Sequence, residues 1–462
     1  MRSTPLSLIA HWADGTLHGD DTVIDAVSND TRTLAPGSLY VALRGEHLDG
    51  HAFAAGAAAR GASALLVDHL LATVELPQVV VADTQQALAR IAAAMQRDRA
   101  TRVFAITGSN GKTSVKTLLL AILRYAAARS GAVVYATPGN RNNEIGLPLA
   151  VIDAPEDADF AVYEMGAGKP GDIAYLTAIA VPHYALVNNV APAHLERMGS
   201  LLGVARTKGA IYQALPLDGT AVINADDAFG LWFEQTVAAG RGLRRFALDA
   251  SAETGARAIA ADGDGSRFVL VAPEGEAEVA LHLPGRHNVG NALAAASLAL
   301  AAGIPLADVA AGLGDARPVA GRQAAHVLRS GAVLVDDSYN ANPGSLAAAI
   351  DTLAAAGGQA WLVLGDMREL GPDAPALHAE AGRHARRAGI ARLYALGPLA
   401  AAAAAAFGEG GRAFESHDAL ARALGDELHA GVRCLVKGSR GSAMDKIVSA
   451  LLARDGDPAD AA

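Results

Sequence analysis

A short apolar run, Val103-Phe104-Ala105-Ile106, leads into Thr107-Gly108-Ser109-Asn110-Gly111-Lys112-Thr113-Ser114, and a helical pattern follows with apolar residues at Val115, Leu118, Leu119, Ile122 and Leu123. Strand, glycine-rich turn ending in Gly-Lys-Thr, then helix is an arrangement that holds nucleotide phosphates. Backbone N–H groups of the turn face the anion, and the helix N-terminus adds positive partial charge. Lys112 can then reach the β- and γ-phosphates, and the Thr113 hydroxyl can ligate Mg²⁺. The match is to a short form of the motif: G-x-x-x-x-G-K-[ST] would need glycine at 106, where this chain has Ile106, and Gly108 stands in its place. A chance Gly-Lys-Thr in a surface turn would not be expected between a strand and a helix. Gly108, Ser109, Asn110, Gly111, Lys112, Thr113 and Ser114 are therefore read as a phosphate site, which demands an α/β sheet around it.

A chain of 462 residues exceeds one core, so two to four domains are expected. Three segments emerge. Residues 1–84 mix short strands, such as Leu39 to Leu43 and Ala64 to Val67, with turn signals at Ala35-Pro36-Gly37. A helical stretch, Thr84 to Arg97, leads into residues 85–316, where apolar runs at Val133 to Ala136, Phe160 to Tyr163, Tyr184 to Val187 and Ala221 to Ile223 alternate with helical patterns. That alternation predicts a mostly parallel sheet covered by helices. Residues 317–462 alternate again, with runs at Ala332 to Val335, Ala360 to Leu364, Arg392 to Leu396 and Val432 to Val436. They predict a second open α/β sheet, with a plain helix over Ala400 to Ala406 and a frayed tail from Asp455. No G-x-G-x-x-G occurs there, so nothing suggests a dinucleotide.

A net charge of −10 argues against a protein that tracks a nucleic-acid backbone. The single cysteine, Cys434, lies inside an apolar run, where a buried inert thiol is expected. Arg2 is not followed by a long apolar stretch, so no signal peptide is expected. Asn291 to Leu313 is mostly alanine, broken by Gly303, Pro305, Asp308 and Gly312, and reads as two helices of a water-soluble protein rather than a membrane span. A cytoplasmic location follows as an expectation.

Other stretches recur with the phosphate loop in one family. The first segment holds Ser28-Asn29-Asp30-Thr31-Arg32, then Pro36 to Gly45, then Asp49-Gly50-His51. Further on come Thr137-Pro138-Gly139-Asn140-Arg141-Asn142-Asn143-Glu144-Ile145-Gly146-Leu147-Pro148, Tyr163-Glu164-Met165-Gly166, Asn189 to Glu196, and Ala205 to Tyr212 around Lys208. The last third holds Pro284 to Asn291, Pro318-Val319-Ala320-Gly321-Arg322, Asp336 to Pro343, Leu364 to Gly371 and Leu435 to Gly441. On these residues the chain resembles the ATP-dependent Mur ligases of peptidoglycan synthesis. Within them it resembles the type that joins D-alanyl-D-alanine to a UDP-N-acetylmuramoyl-tripeptide.

The resemblance implies a three-domain α/β protein: a small mixed N-terminal domain for the UDP-sugar, a central ATPase domain, and a C-terminal Rossmann-like open sheet for the amine. It implies that Ser28, Thr31, Arg32, Asp49 and His51 serve the uridine nucleotide; read on their own, these residues also suit a polar turn. Asn140, Asn142 and Asn143 would lie near the acceptor, where amides can donate and accept at once. Glu164, at a strand's carboxyl end, would bind Mg²⁺ with Thr113. His194 matches a metal-site histidine. Imidazole is a soft ligand for Mg²⁺, so an indirect role or one with Mn²⁺ stays open. Lys208 matches a lysine carbamylated in several members, where it would help hold a second Mg²⁺; an unmodified lysine that neutralises a phosphate is the alternative. Asn288, Asp337 and Asn340 would contact the adenosine of ATP. Arg322 would reach the γ-phosphate only when domains close. Lys437, Ser439 and Arg440 would grip the dipeptide carboxylate or face the acceptor peptide. The implied chemistry is carboxylate activation by ATP through an acyl phosphate, by a monomer without nucleic-acid or membrane partners.

Relatives that add other amines are the nearest rivals. The diaminopimelate-adding type carries Asp-Asn-Pro-Arg, which this chain lacks, and the alanine-adding type opens with a glycine-rich nucleotide motif, also missing. Folylpolyglutamate synthetases share the phosphate loop but not this first segment. A nucleotide switch would have no use for the Asn140 to Pro148 loop.

Overall fold

The computed structural model describes residues 1–45, 47–192, 195–262 and 265–456. Three α/β sheets follow one another along the chain. The first has five strands in the order Thr16–His18, Gln78–Val80, Ala64–Val67, Ser38–Val41, Ala26–Ser28, all parallel except the first pair. Helix Thr84–Arg97 follows it, capped by the Asp83 carboxylate, which accepts from the Gln86 N–H at 2.9 Å.

The second sheet is six-stranded and fully parallel, in the order Gly242–Phe246, Thr220–Asn224, Tyr184–Val187, Arg102–Thr107, Phe160–Glu164, Val134–Ala136. Its central strand, Arg102–Thr107, shows why the run before the phosphate loop is continuously apolar. Val103 and Ala105 pack into the core on one face, and Phe104 and Ile106 into the core on the other. A parallel strand covered on both faces needs that pattern. From Arg102–Thr107 the chain passes first to the edge strand Val134–Ala136, returns to Phe160–Glu164 on one side of it, and then crosses to Tyr184–Val187 on the other, so a switch point opens at its carboxyl end. The phosphate loop begins there, and helix Lys112–Ser130 runs back over the sheet to Gly131, which ends it with φ 76°.

One element of the central segment departs from the alternating expectation. Gly255–Asp262, Gly265–Ala272 and Gly275–Leu281 form a three-stranded antiparallel sheet. The period-two alternation of Ser266 to Ala272 and Glu276 to Leu281, with Pro273-Glu274-Gly275 between them, carried that signal locally. The alanine-rich stretch after it forms two helices, Arg286–Ala301 and Leu306–Asp315. Among the described residues no helix is long and apolar enough to cross a membrane.

The third sheet runs Ala324–Val327, Val333–Asp337, Val432–Lys437, Gln359–Gly365, Arg392–Leu396, Gly411–Phe414, parallel but for the first pair. Leu362, Leu364 and Leu435 face one core; Trp361, Val363, Cys434 and Val436 face the other. Cys434 is fully buried and unpaired, and burial pushes its thiol up to about 12, out of reach of thiolate chemistry at neutral pH. The carboxyl ends of this sheet and of the central sheet open onto one cleft.

Candidate active site between the second and third sheets

The cleft encloses about 880 Å³. Its floor is the phosphate loop. Gly111 adopts φ 79°, and a Cβ there would lie 2.4 Å from both Asn188 Nδ2 and Asn291 Oδ1, so only glycine fits between the loop and those amides. The loop is laced from outside: Asn110 N–H donates to Asn189 Oδ1 at 2.8 Å, its carbonyl accepts from Asn188 Nδ2 at 3.0 Å, and Ser109 Oγ donates to the Ala191 carbonyl at 2.9 Å. From Asn224 an amide chain runs through Asn188, Asn291 and Asn288 to Gln323 of the third segment.

Two lysines converge on the Gly108 carbonyl, Lys112 Nζ at 2.8 Å and Lys208 Nζ at 3.2 Å. Burial depresses the Lys112 ammonium, Glu164 opposes that, and Arg322 adds to it. Lys208, on helix Leu201–Gln213, is buried, and among the described residues no carboxylate pairs with it. Burial, and then the Lys112 charge, push its amine well below its ordinary value. Both amines are therefore pushed down, Lys208 further, and only Lys112 has a carboxylate, Glu164, opposing the shift.

Glu164 ends its strand opposite them and is 2% exposed. Oε2 accepts from Thr113 Oγ1 at 2.8 Å, and Oε1 accepts from Asn142 Nδ2 at 2.9 Å. Burial alone would raise its pKa, but Lys112, Lys116 and the Thr113 hydroxyl outweigh it and hold the carboxylate below its ordinary range. Lys116 stands one helical turn after Lys112, 3.5 Å from Glu164 Oε2, and donates to the Thr137 and Gly139 carbonyls at 3.2 and 2.8 Å. The third segment contributes Arg322, stacked 4.2 Å over the Tyr339 ring, and the ion pair of Lys437 with Asp337 at 2.6 Å.

Three family models match the chain: Mur ligase family, catalytic domain, over residues 23–96; Mur ligase middle domain over 106–299; and Mur ligase, glutamate ligase domain, over 321–440. The UDP-N-acetylmuramoyl-tripeptide–D-alanyl-D-alanine ligase of Escherichia coli K12 is 43% identical over 455 residues, 98% of this chain and 99% of the relative. The chain belongs to the Mur ligase family. The ligase of the same name from Bacillus subtilis 168 is 34% identical over 465 residues, covering 96% of this chain and 97% of that one. The crystal structure of MurF from Acinetobacter baumannii superposes with a TM-score of 0.90 at 30% identity, covering 98% of this chain and all of the other.

For this Mur ligase the cleft gathers nearly all the residues expected of its second and third segments: the phosphate loop, Asn142, Asn143, Glu164, Lys208, Asn288, Arg322, Asp337, Asn340 and Lys437 line it. His194 lies outside the described residues. Asn140 does not line the cleft; it donates to Tyr339 Oη at 2.9 Å, bridging the two segments. Lys437 offers no free ammonium for a dipeptide carboxylate, since it is spent on Asp337 and the Asn340 carbonyl. Ser439 clamps two loops, donating to the Ala341 carbonyl and accepting from the Arg368 N–H. Arg440 is exposed, with its guanidinium 5.7 Å from the Tyr339 ring.

The first-segment residues stand apart from this cleft. Ser28 Oγ and Asp30 close a small turn, and Arg32 folds back onto the Asp30 carboxylate at 2.7 Å. Asp49 caps the short helix Gly50–Phe53. His51 Nε2 accepts from the Asp68 N–H at 3.1 Å, so its proton sits on Nδ1, 2.5 Å from Asp49. His51, Asp68 and His69 bring potential metal-ligating atoms within 4.8 Å of one another, but both His51 nitrogens are already committed inside the protein.

Lys116, Asn188, Asn291 and Asn342 are cleft or cleft-supporting residues that sequence reading passed over. Only Lys116 carried a local signal, as the i+4 neighbour of Lys112.

A stability prediction follows from Lys208. In the unfolded chain its amine titrates near 10.5 and is protonated at neutral pH, whereas the folded site disfavours the proton. Folding therefore carries a penalty that is absent above 10.5 and grows as pH falls. In protein whose Lys208 is unmodified, Lys208→Met removes it and is expected to stabilise the fold by about 1–4 kcal/mol at pH 7. The gain should shrink toward pH 10.5, as read from denaturant midpoints at the two pH values. A destabilised variant at pH 7 would instead mean that the native side chain carries a partnered charged group.

Proposed function

We propose that this Mur ligase joins D-alanyl-D-alanine to UDP-N-acetylmuramoyl-tripeptide, the two substrates named for its Escherichia coli and Bacillus subtilis relatives, with cleavage of ATP to ADP and phosphate. The single observation that carries the reading is the convergence of Lys112, Lys208, the Thr113–Glu164 pair and Arg322 on one cleft. A carboxylate does not react with an amine at neutral pH, because oxide is a poor leaving group. Phosphorylation supplies a better one. An acceptor carboxylate oxygen bonds to the γ-phosphorus, the bond to the ADP oxygen breaks, and ADP departs. The dipeptide amine then attacks the acyl carbon, the tetrahedral intermediate collapses with loss of phosphate, and one proton is released.

Each residue has a task in that scheme. The loop N–H groups cradle the phosphates. Lys112 neutralises the charge on the transferring group, and Arg322 adds a second cation from the third segment. Asn142 and Asn143 orient the acceptor beside Glu164. Asp337 and Asn340 face the nucleoside from the third sheet, with Asn288 opposite. Exclusion of water from the cleft protects the acyl phosphate. Ser28, Thr31, Arg32, Asp49 and His51 serve the uridine nucleotide on the first sheet, and Arg440 remains the exposed cation for the dipeptide carboxylate.

Thr113 and Glu164 fit Mg²⁺, because they offer hard oxygen donors and the carboxylate is held ionised. Bound there, the ion supplies compensation for phosphoryl charge. A Lys208 amine whose protonation is disfavoured suits addition of CO₂, in which an N–C bond would form, a proton would be lost and an N6-carboxylysine would result. Such a group would offer an anionic oxygen to a second ion. We place the three tasks on residues 1–84, 85–316 and 317–462, and the enzyme as a cytoplasmic monomer.

The test is phosphate release from ATP and Mg²⁺ with UDP-N-acetylmuramoyl-tripeptide and D-alanyl-D-alanine, added singly and together, with the product mass measured. Release that requires both, with the pentapeptide product, is expected; release indifferent to both would overturn the reading. Arg322→Ala is expected to lower kcat about 10²- to 10³-fold. Normal turnover by that variant would remove Arg322 from the chemistry.

A further inference from the structure

We infer that the side-chain amide of Asn342 is a positioning group that latches the third segment onto the phosphate loop. Asn342 Nδ2 donates to Asn110 Oδ1 at 2.6 Å, across 232 residues of sequence. Asn110 sits between the two glycines that shape the loop. Its backbone N–H and carbonyl are held by Asn189 and Asn188 from the central sheet, so its side-chain oxygen is the part turned toward the third segment.

The donor is preset. Asn342 caps helix Pro343–Ala355: its Oδ1 accepts from the Ser345 N–H at 2.9 Å, while Ser345 Oγ accepts from the Asn342 N–H at 3.1 Å. This reciprocal box fixes which end of the amide is oxygen, and therefore leaves the NH₂ facing Asn110. A donor locked before closure loses little freedom on making the bond. The same segment carries Arg322 and Tyr339, so the latch and the closing cation move as one body. Arg322 brings charge to the reaction; Asn342 sets the loop's shape when that charge arrives. The inference rests on the ligase reading above, in which closure completes the site.

Asn342→Ser separates the two roles of the residue. A serine hydroxyl still caps the helix but cannot reach Asn110. With saturating ATP, acceptor and dipeptide, we expect kcat to fall about ten-fold, the worth of one aligned hydrogen bond, with KM for the UDP-sugar peptide and the thermal midpoint unchanged. Asn110→Ala should cost a similar factor, and the double variant no more than either single change, because both remove the same bond. Should Asn342→Ser fold poorly, Asn342→Asp keeps the cap without the donor, and the same cycle is run with it. A wild-type kcat in the capping variant, or a double variant whose losses multiply, would overturn the latch. A wild-type protein that forms no pentapeptide would instead defeat the ligase reading, so the two failures are distinguishable.

Discussion

Lys112→Met is expected to lower kcat by about 10³-fold or more while the protein stays folded. The size follows from what else surrounds the transferring phosphoryl group. Lys208 also reaches the Gly108 carbonyl, at 3.2 Å against 2.8 Å for Lys112, but burial and the Lys112 charge push its amine well below its ordinary value. Lys116 is one turn away and occupied by two carbonyls and Glu164. Arg322 arrives from another segment and stacks on Tyr339. None of these three is placed to replace Lys112. Folding should be spared, because burial already makes the ammonium costly in the native state. The check is single-turnover formation of acyl product alongside a denaturant unfolding curve. A loss below ten-fold would mean that the loop holds phosphate by its backbone alone.

Glu164→Gln is the second large effect, expected at about 10²- to 10³-fold in kcat, with the Mg²⁺ concentration for half-maximal rate raised about 10- to 100-fold. The substitution keeps the shape, and the amide oxygen can still accept from Thr113 or Asn142. What it removes is the charge, in a site where Lys116 is 6% exposed and 3.5 Å away. Stability should fall by about 1–3 kcal/mol at neutral pH, since a buried ammonium loses its carboxylate. The pH dependence gives a separate signature. The folded site holds Glu164 below its ordinary 4.5, so in the wild type it contributes stability above that value and loses it as pH falls through the depressed pKa. The variant lacks this term, and the gap between the two proteins should narrow in acid. Equal metal dependence in both proteins would sink the ligand role.

How far the sequence could be read depended on distance along the chain. The strand before the phosphate loop, the loop and its helix are contiguous, and hydrophobic periodicity with Gly108, Gly111 and Lys112 declared them together. Tyr184–Val187 and Arg392–Leu396 were read to the residue, because an apolar run between turn signals is a local property. The antiparallel ribbon over residues 255–281 interrupts the strand–helix alternation, and its period-two pattern is the local mark of that break. Glu164 was found through its strand end and through resemblance; Lys116 was missed because a lysine on a helix reads as solvated until the strand packs against it.

By itself the sequence determined the strand and helix alternation of three α/β segments, a phosphate loop at a strand's carboxyl end, and the residue types that meet nucleotide charge, since each of these is a pattern of neighbouring positions. Only the tertiary structure decided that Lys437 is spent on Asp337 one hundred residues away, that Lys208 is a buried amine rather than a surface cation, and that Asn342 meets Asn110. The first depends on the parallel pairing of Val333–Asp337 with Val432–Lys437, and the last on which loops face each other across the cleft. Burial, which sets whether a lysine carries a proton, is a property of that packing and not of spacing along the chain.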